Sequence, residues 1–270
     1  MNYYNEYEPF AIEWLKLLIS DGLIPEGDVD SRSITEVEPS DLRGYNQCHF
    51  FAGIGGWAYA ARLAGWADDR PMWTGSPPCQ PFSSAGEKRA GNDGRHLWPV
   101  WFDIIRECRP SIIFGEQVGA AISYGWLDQV QTDLESNDYA CGAVVIPASA
   151  VGAPHRRERL WFVAQSIDER CQGVSGKRKT GIAEFGQGNL ADSNRSRQHS
   201  DDGAIYSENR NDTWGRCEAM QCKDGKVRLI PTEPEVFPVA DGVPNRVGTL
   251  RGAGNAIVPQ VAAEIIKAFV

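Results

Sequence analysis

The chain has 270 residues, 42% hydrophobic and 23% charged, ordinary proportions for a globular protein that buries one substantial core and carries a smaller second lobe. No apolar run approaches the roughly 20 residues a membrane-spanning helix needs, and the stretch from Met1 to Glu8 has neither the basic nor the apolar part of a secretory leader, so a cytoplasmic protein is expected. A net charge of −9 argues against nucleic acid as partner, yet Lys88, Arg89, Arg95, Arg156, Arg157, Arg159, Arg246 and Arg251 gather in or beside the most distinctive segments, which leaves room for a basic face on an acidic body.

In chain order, the segment from Pro9 to Ser20 sets Phe10, Ile12, Trp14, Leu15, Leu17, Leu18 and Ile19 on a broad apolar face and reads as a helix that Asp21-Gly22 ends. A polar, acidic, turn-rich stretch follows, so residues 1–45 read as a helical and acidic extension. From Cys48 strands alternate with helices. A buried strand starts at Cys48, a glycine-rich turn follows at Gly53-Ile54-Gly55-Gly56, and a helix runs from Trp57 to Leu63. A strand from Met72 to Ser76 leads to a proline-stiffened elbow and a polar loop to Arg95. The sequence then predicts a helix from Leu97 to Cys108, a strand from Ser111 to Phe114, a helix from Trp126 to Leu134, and strands at Tyr139–Ile146 and Arg159–Ala164. This rhythm predicts an α/β fold with a doubly wound, mostly parallel sheet. Residues 165–240 break the rhythm with Gly, Ser, Asn, Asp and Arg and read as a small polar inserted lobe. Residues 241–270 return to the core and end in an amphipathic helix from Pro259 to Val270. The main core is then 46–164.

The seven cysteines, Cys48, Cys79, Cys108, Cys141, Cys171, Cys217 and Cys222, form no CxxC pair, and the four histidines are scattered, so neither a disulfide framework nor a metal site is expected. Cys79 stands apart. It sits in Ser76-Pro77-Pro78-Cys79-Gln80-Pro81-Phe82-Ser83, a rigid elbow at the C-terminal end of a strand, where α/β sheets place their active sites, and can present a thiolate. An inert core cysteine is the competing reading. Glu116 leaves the end of the next strand and can serve as a helix-cap neighbour or a general acid. Nucleophile and proton donor on neighbouring strand ends are what covalent catalysis on a weak electrophile requires. His155, Arg156, Arg157, Glu158 and Arg159 open a later strand, where arginines can grip carbonyl or phosphate oxygens, or simply form salt bridges.

Taken in order, FAGIGGW, PPCQPFS, GEQV, HRRERLWFVA and GNAIVPQVA resemble the DNA cytosine-5 methyltransferase family of prokaryotic or phage type. The resemblance covers residues 48–164 and 241–270. It implies a class I S-adenosylmethionine-dependent methyltransferase-like fold and transfer of a methyl group to C5 of cytosine in double-stranded DNA. Cys79 would add to C6 of a flipped cytosine, Glu116 would hold or protonate N3, Arg159 would steady O2, and Arg157 would support the pocket. Phe51, Ala52, Gly53, Gly55, Gly56, Trp57, Pro78, Asn255 and Ala256 would line the S-adenosylmethionine site. Gln80, Ser83, Ser84, Lys88, Arg89, Arg95 and His155 would contact the substrate, with the loop from Ser84 to Arg95 closing over DNA. The 165–240 lobe would read the target sequence. A monomer with a restriction partner is the implied assembly.

The chain departs from the family in three places. Phe51 and Cys79 are too close for the strand, helix and strand that usually intervene and carry the acidic residue for the cofactor ribose, so the fold is expected to be shortened there. The N-terminal extension, with Asp28 and Asp30, is the candidate replacement. Gln117 follows the catalytic Glu where Asn is common, and His155 opens the arginine segment where Gln is usual. Two other readings stay open: a non-catalytic DNA-binding relative with impaired cofactor binding, and a cytosine-modifying enzyme acting on RNA or using another one-carbon donor.

Overall fold

The structure, a computed structural model, describes residues 1–78, 97–153, 155–167, 217–221, 227–231 and 254–270. Two compact units divide the chain: residues 1–171 with 236–270, and residues 172–235. In the second, the described residues form an antiparallel pair of strands, Cys217–Gln221 and Val227–Pro231.

The first unit is built on a seven-stranded sheet. Its strands are β1 (Asn2–Asn5), β2 (Gly27–Asp30), β3 (Gln47–Phe50), β4 (Met72–Gly75), β5 (Ile112–Val118), β6 (Tyr139–Ile146) and β7 (Arg159–Ser166), in the spatial order β2-β1-β3-β4-β5-β7-β6. The first five are parallel, and β7 runs antiparallel between β5 and β6. The sheet is therefore not shortened. The N-terminal segment supplies two strands: β1 pairs with β3 from Asn2↔Gln47 to Asn5↔Phe50, and β2 closes the edge beyond it. The mostly parallel α/β architecture expected from the strand and helix rhythm is the one observed.

Helix α1 (Pro9–Ser20) connects β1 to β2. Glu8 caps its first turn by accepting from Ala11 N at 2.9 Å, Pro9 sits at N1 where a missing N–H costs nothing, and Gly22 at φ 68° turns the chain away. Leu15 of α1, Tyr4 of β1 and Ala58 of α2 (Gly56–Leu63) share one cluster, so α1 and α2 lie over the same face. Helix α5 (Pro259–Lys267) joins that face, where Phe269 meets Phe114 edge-on. Helices α3 (Trp98–Cys108) and α4 (Trp126–Glu135) cover the other face with Cys48, Phe50, Trp73, Ile113 and Phe162.

This arrangement has a topological consequence. The β1-α1-β2 crossover steps toward the sheet edge and β3-α2-β4 steps the opposite way, over the same face. Parallel crossovers that share a face but step in opposite directions have opposite hands, so one of them runs against the right-handed rule. Between them, at the C-terminal ends of β1 and β3, the connections part, which is where open α/β sheets bind ligands.

Candidate active site

The C-terminal edge of the sheet carries two groups of polar residues. The first surrounds the turn after β3. Phe51 takes the left-handed conformation at φ 50°, which costs a non-glycine residue about 1–3 kcal/mol and persists where the surroundings hold it. Ala52 N, donating to Asn5 O at 3.0 Å, is one such tether. Gly53 at φ 55° and Gly55 at φ 82° complete the turn in conformations that side chains rarely adopt. Gly53 N donates to Glu6 Oε2 at 2.8 Å, so an acid at the end of β1 is fixed beside the turn. A Cβ on Gly53 would meet nothing within 4 Å, leaving that backbone with an open side, whereas one on Gly56 would lie 2.7 Å from Cγ1 of Ile257. The C-terminal stretch therefore packs directly on the start of α2.

Asp28 and Asp30, the acids expected to replace the missing segment, are engaged elsewhere. Tyr45 donates to Asp28, while Tyr3 donates to Asp30 at 2.7 Å and Arg32 pairs with Asp30 at 2.6 Å. Glu6 is the acid the register brings to the turn, and the sequence reading missed it. Trp57, expected to line the cofactor site, is 2% exposed and its ring meets Trp161 edge-on.

The second group lies at the ends of β4, β5 and β7. Glu116 Oε1 is 2.9 Å from Arg159 Nε, and the carboxyl is nearly buried, 7% exposed for the residue. Register explains the pairing: Arg159 lies opposite Val118, two residues from Glu116 and so on the same face of the sheet. Burial pushes the Glu116 carboxyl above its ordinary pKa, and Arg159, Ser76 and Arg157 offset part of that rise. Arg157, at φ 34°, donates to Gly254 O at 2.8 Å and to Ala256 O. It ties the segment carrying Asn255 to the strand that carries Arg159.

Gln117, the departure from the usual Asn, donates from Nε2 to Pro77 O at 2.9 Å and accepts from Val118 N at 2.8 Å. Its longer side chain thus holds the elbow that leads through the exposed Pro78 to Cys79. His155 is largely exposed, and partial desolvation of its ring together with the charge of Arg157 moves its pKa down. Arg156 pairs with Glu158 in solvent. Cys79, Gln80, Ser83, Ser84, Lys88, Arg89 and Arg95 lie outside the described residues, as does most of the 165–240 lobe. Among the described residues no group of His, Cys, Asp and Glu is arranged to hold a metal, and no helix is long and apolar enough to cross a membrane.

The arrangement brings together Glu116, Arg159, Arg157 and the elbow ending at Pro78, and sets the glycine-rich turn with Glu6 at the ends of β3 and β1. The former is suited to donating a proton from a partly charge-balanced carboxyl, the latter to receiving a ligand along an open backbone.

The C-5 cytosine-specific DNA methylase family matches residues 67–215, more than half of the chain, including Cys79, Glu116, Arg157 and Arg159. The chain is 35% identical over 92 residues to the Type II methyltransferase M.AplI of Arthrospira platensis, covering 33% of this chain and 27% of that protein. It is 33% identical over 101 residues to M.HhaI of Haemophilus parahaemolyticus, with 35% and 30% covered. The matched part thus spans under a third of the length of these two relatives. M.AquIA of Picosynechococcus is 25% identical over 179 residues, with 62% and 63% covered. Among solved structures, a DNMT2 mutant of Spodoptera frugiperda aligns over 66% of this chain and 53% of that one, with a TM-score of 0.40 and 16% identity.

Proposed function

Because the chain belongs to the C-5 cytosine-specific DNA methylase family, we propose that it transfers a methyl group from S-adenosylmethionine to C5 of cytosine in double-stranded DNA through a covalent Cys79 adduct. The observation that carries this reading is the buried Glu116 paired with Arg159 at the strand ends beside the elbow that leads to Cys79.

S-adenosylmethionine suits the residues at the β3 turn. The open side of Gly53 allows close approach to backbone, α2 begins there and offers its first N–H groups, and Glu6 stands at the neighbouring strand end. An acid in that position of a doubly wound sheet hydrogen-bonds ribose hydroxyls, so Glu6, with Phe51, Ala52, Gly53 and Gly55, would hold the nucleoside part. When bound, the cofactor supplies an electrophilic methyl group on a sulfonium.

The protein's own groups do the rest. The Cys79 thiolate adds to C6 of a cytosine taken out of the stack, and the proton that Glu116 delivers to N3 makes C5 nucleophilic. Burial raises the Glu116 pKa and so favours the protonated form that such a donor needs. Arg159 steadies O2 of the base, and Arg157 holds the 254–256 segment against the pocket. After methyl transfer, loss of the C5 proton to a base, expulsion of the Cys79 thiolate and return of the N3 proton to Glu116 release 5-methylcytosine. The 165–240 lobe reads the target sequence.

The test is to incubate the protein with unmethylated genomic DNA and S-adenosylmethionine, digest to nucleosides and quantify 5-methylcytosine by mass spectrometry. The expected result is 5-methylcytosine from the wild type and none from Cys79→Ala. No product from a folded wild type would remove the reading.

A further inference from the structure

Trp57 and Ser76 stand in line between the glycine-rich turn and Glu116. Trp57, in the first turn of α2, is fixed by aromatic neighbours: its ring meets Trp161 edge-on with centroids 5.5 Å apart and Phe114 at 6.4 Å. The indole Nε1 can therefore point one way, and it donates to Ser76 Oγ at 3.1 Å. Ser76 directly follows β4, whose Gly75 lies opposite Gly115, so it stands beside Glu116 on the same face of the sheet, where it favours the carboxylate. A hydroxyl carries one proton, and with its oxygen accepting from Trp57 that proton is left to face the neighbouring carboxyl.

We propose that Trp57 and Ser76 are positioning residues for Glu116, and that through them the seating of the glycine-rich turn is transmitted to the proton donor. The inference rests on the methyl-transfer reading for the use made of the acid, but not for the positioning itself. Neither residue touches the reacting base. Their effect is to fix which way the carboxyl faces and how tightly it holds its proton. The charged groups around Glu116 are Arg159 on β7 and Arg157 ahead of it, both favouring the carboxylate, while burial favours the acid. Ser76 is the neutral donor whose removal leaves the two guanidinium groups in place.

The experiment follows the Glu116 carboxyl by infrared difference titration in the protein without DNA or cofactor, assigned by the band lost in Glu116→Gln. Ser76→Ala moves the midpoint upward, because a donor to the carboxylate is gone. Trp57→Phe keeps the buried ring and moves the midpoint the same way by less. Ser76→Thr, which retains the hydroxyl, titrates like the wild type. In turnover, Ser76→Ala lowers kcat about tenfold and leaves KM for DNA and for S-adenosylmethionine unchanged. Wild-type midpoints in Ser76→Ala would overturn the proposal even in an active enzyme, and Ser76→Ala decides this alone if Trp57→Phe does not fold. A shifted midpoint in Ser76→Ala, together with a wild type that makes no 5-methylcytosine, would remove the methyl-transfer reading and leave the positioning of Glu116 by Ser76 standing.

Discussion

The two halves of the C-terminal sheet edge solve opposite problems. At β5 and β7 a carboxyl and a guanidinium are taken largely out of water and set against each other, so the guanidinium offsets part of the rise that burial gives the carboxyl. At β1 and β3 the working surface is backbone: a left-handed turn, an open glycine and one acid tethered to a main-chain N–H. Chemistry that moves protons needs the first kind of site, where a buried charge is costly and its pKa can be moved. Recognition of a nucleoside-like ligand needs the second, where donors stand ready at little desolvation cost. The halves also differ in origin, since β1 and β2 come from the start of the chain and β4, β5 and β7 follow the turn they serve.

The sharpest way to separate the halves is to damage each in turn. Glu116→Gln is expected to lower the methyl-transfer rate by about 10²–10⁴, the range a positioned general acid contributes, with little change in S-adenosylmethionine affinity. Glu6→Ala is expected to do the reverse: calorimetry gives a Kd for S-adenosylmethionine raised about tenfold, while the rate at saturating cofactor holds near wild type. If both variants lose rate and affinity together, the division of labour is wrong.

A rearranged chain sharpens the contrast further. Asn46 N donates to Met1 O at 3.0 Å and Met72 N to Asn46 O at 3.2 Å. The Asn2 amide, turned so that both its ends are satisfied, donates to Asp68 O at 3.3 Å. The ends of residues 1–45 therefore abut the loop between α2 and β4. Moving these residues between Asp68 and Pro71 with short glycine linkers makes both crossovers step the same way with one hand. Folding and S-adenosylmethionine affinity within about threefold of the original are expected, since loop length costs little. A folded product that binds no cofactor would show that chain order, not strand placement, builds the site.

The last expected effect is on stability and is confined to acid pH. His49, buried beside Thr74 and stacked on Tyr4, has its pKa pushed down to about 3 by burial. The unfolded chain takes up this proton below pH 6.5, the folded one only near 3. The contribution is thus fully present above 6.5 and lost as pH falls through that window. The Tm of the wild type should fall faster than that of His49→Gln between pH 6.5 and 3; parallel curves would contradict it.

What could be read from the sequence follows the same division. Ser76–Ser83, Glu116 and the arginine segment carry their chemistry in contiguous residues, so the strand ends that hold them were foreseeable; the pairing of Glu116 with Arg159 depends on the register of β5 and β7 and was not. Strand β1 was not. It begins at the second residue, is four residues long and is buried on both faces, so Asn2, Tyr3, Tyr4 and Asn5 show no alternation. Glu6 looks like any exposed acid until register places it beside Gly53, whereas Asp28 and Asp30 look suited to a ligand until Tyr45, Tyr3 and Arg32 are seen to engage them. A strand order rearranged along the chain leaves no local signal; the faint one was an acid between a pair of tyrosines and a proline-started helix. For Trp57 the neighbours in sequence suggest a ligand wall, while the neighbours its ring meets in space, Trp161 and Phe114, carry no local signal.

The central claim is that Cys79 attacks a cytosine that Glu116 has activated. Duplex DNA carrying 5-fluorocytosine tests it most directly, because fluorine at C5 cannot leave as the proton does and the adduct cannot break down. With S-adenosylmethionine present, the account predicts a protein–DNA complex that survives denaturation, has its linkage at Cys79 by peptide mass analysis, and is absent in Cys79→Ala. A folded protein that methylates DNA while leaving no such complex, or one linked through another residue, would contradict it.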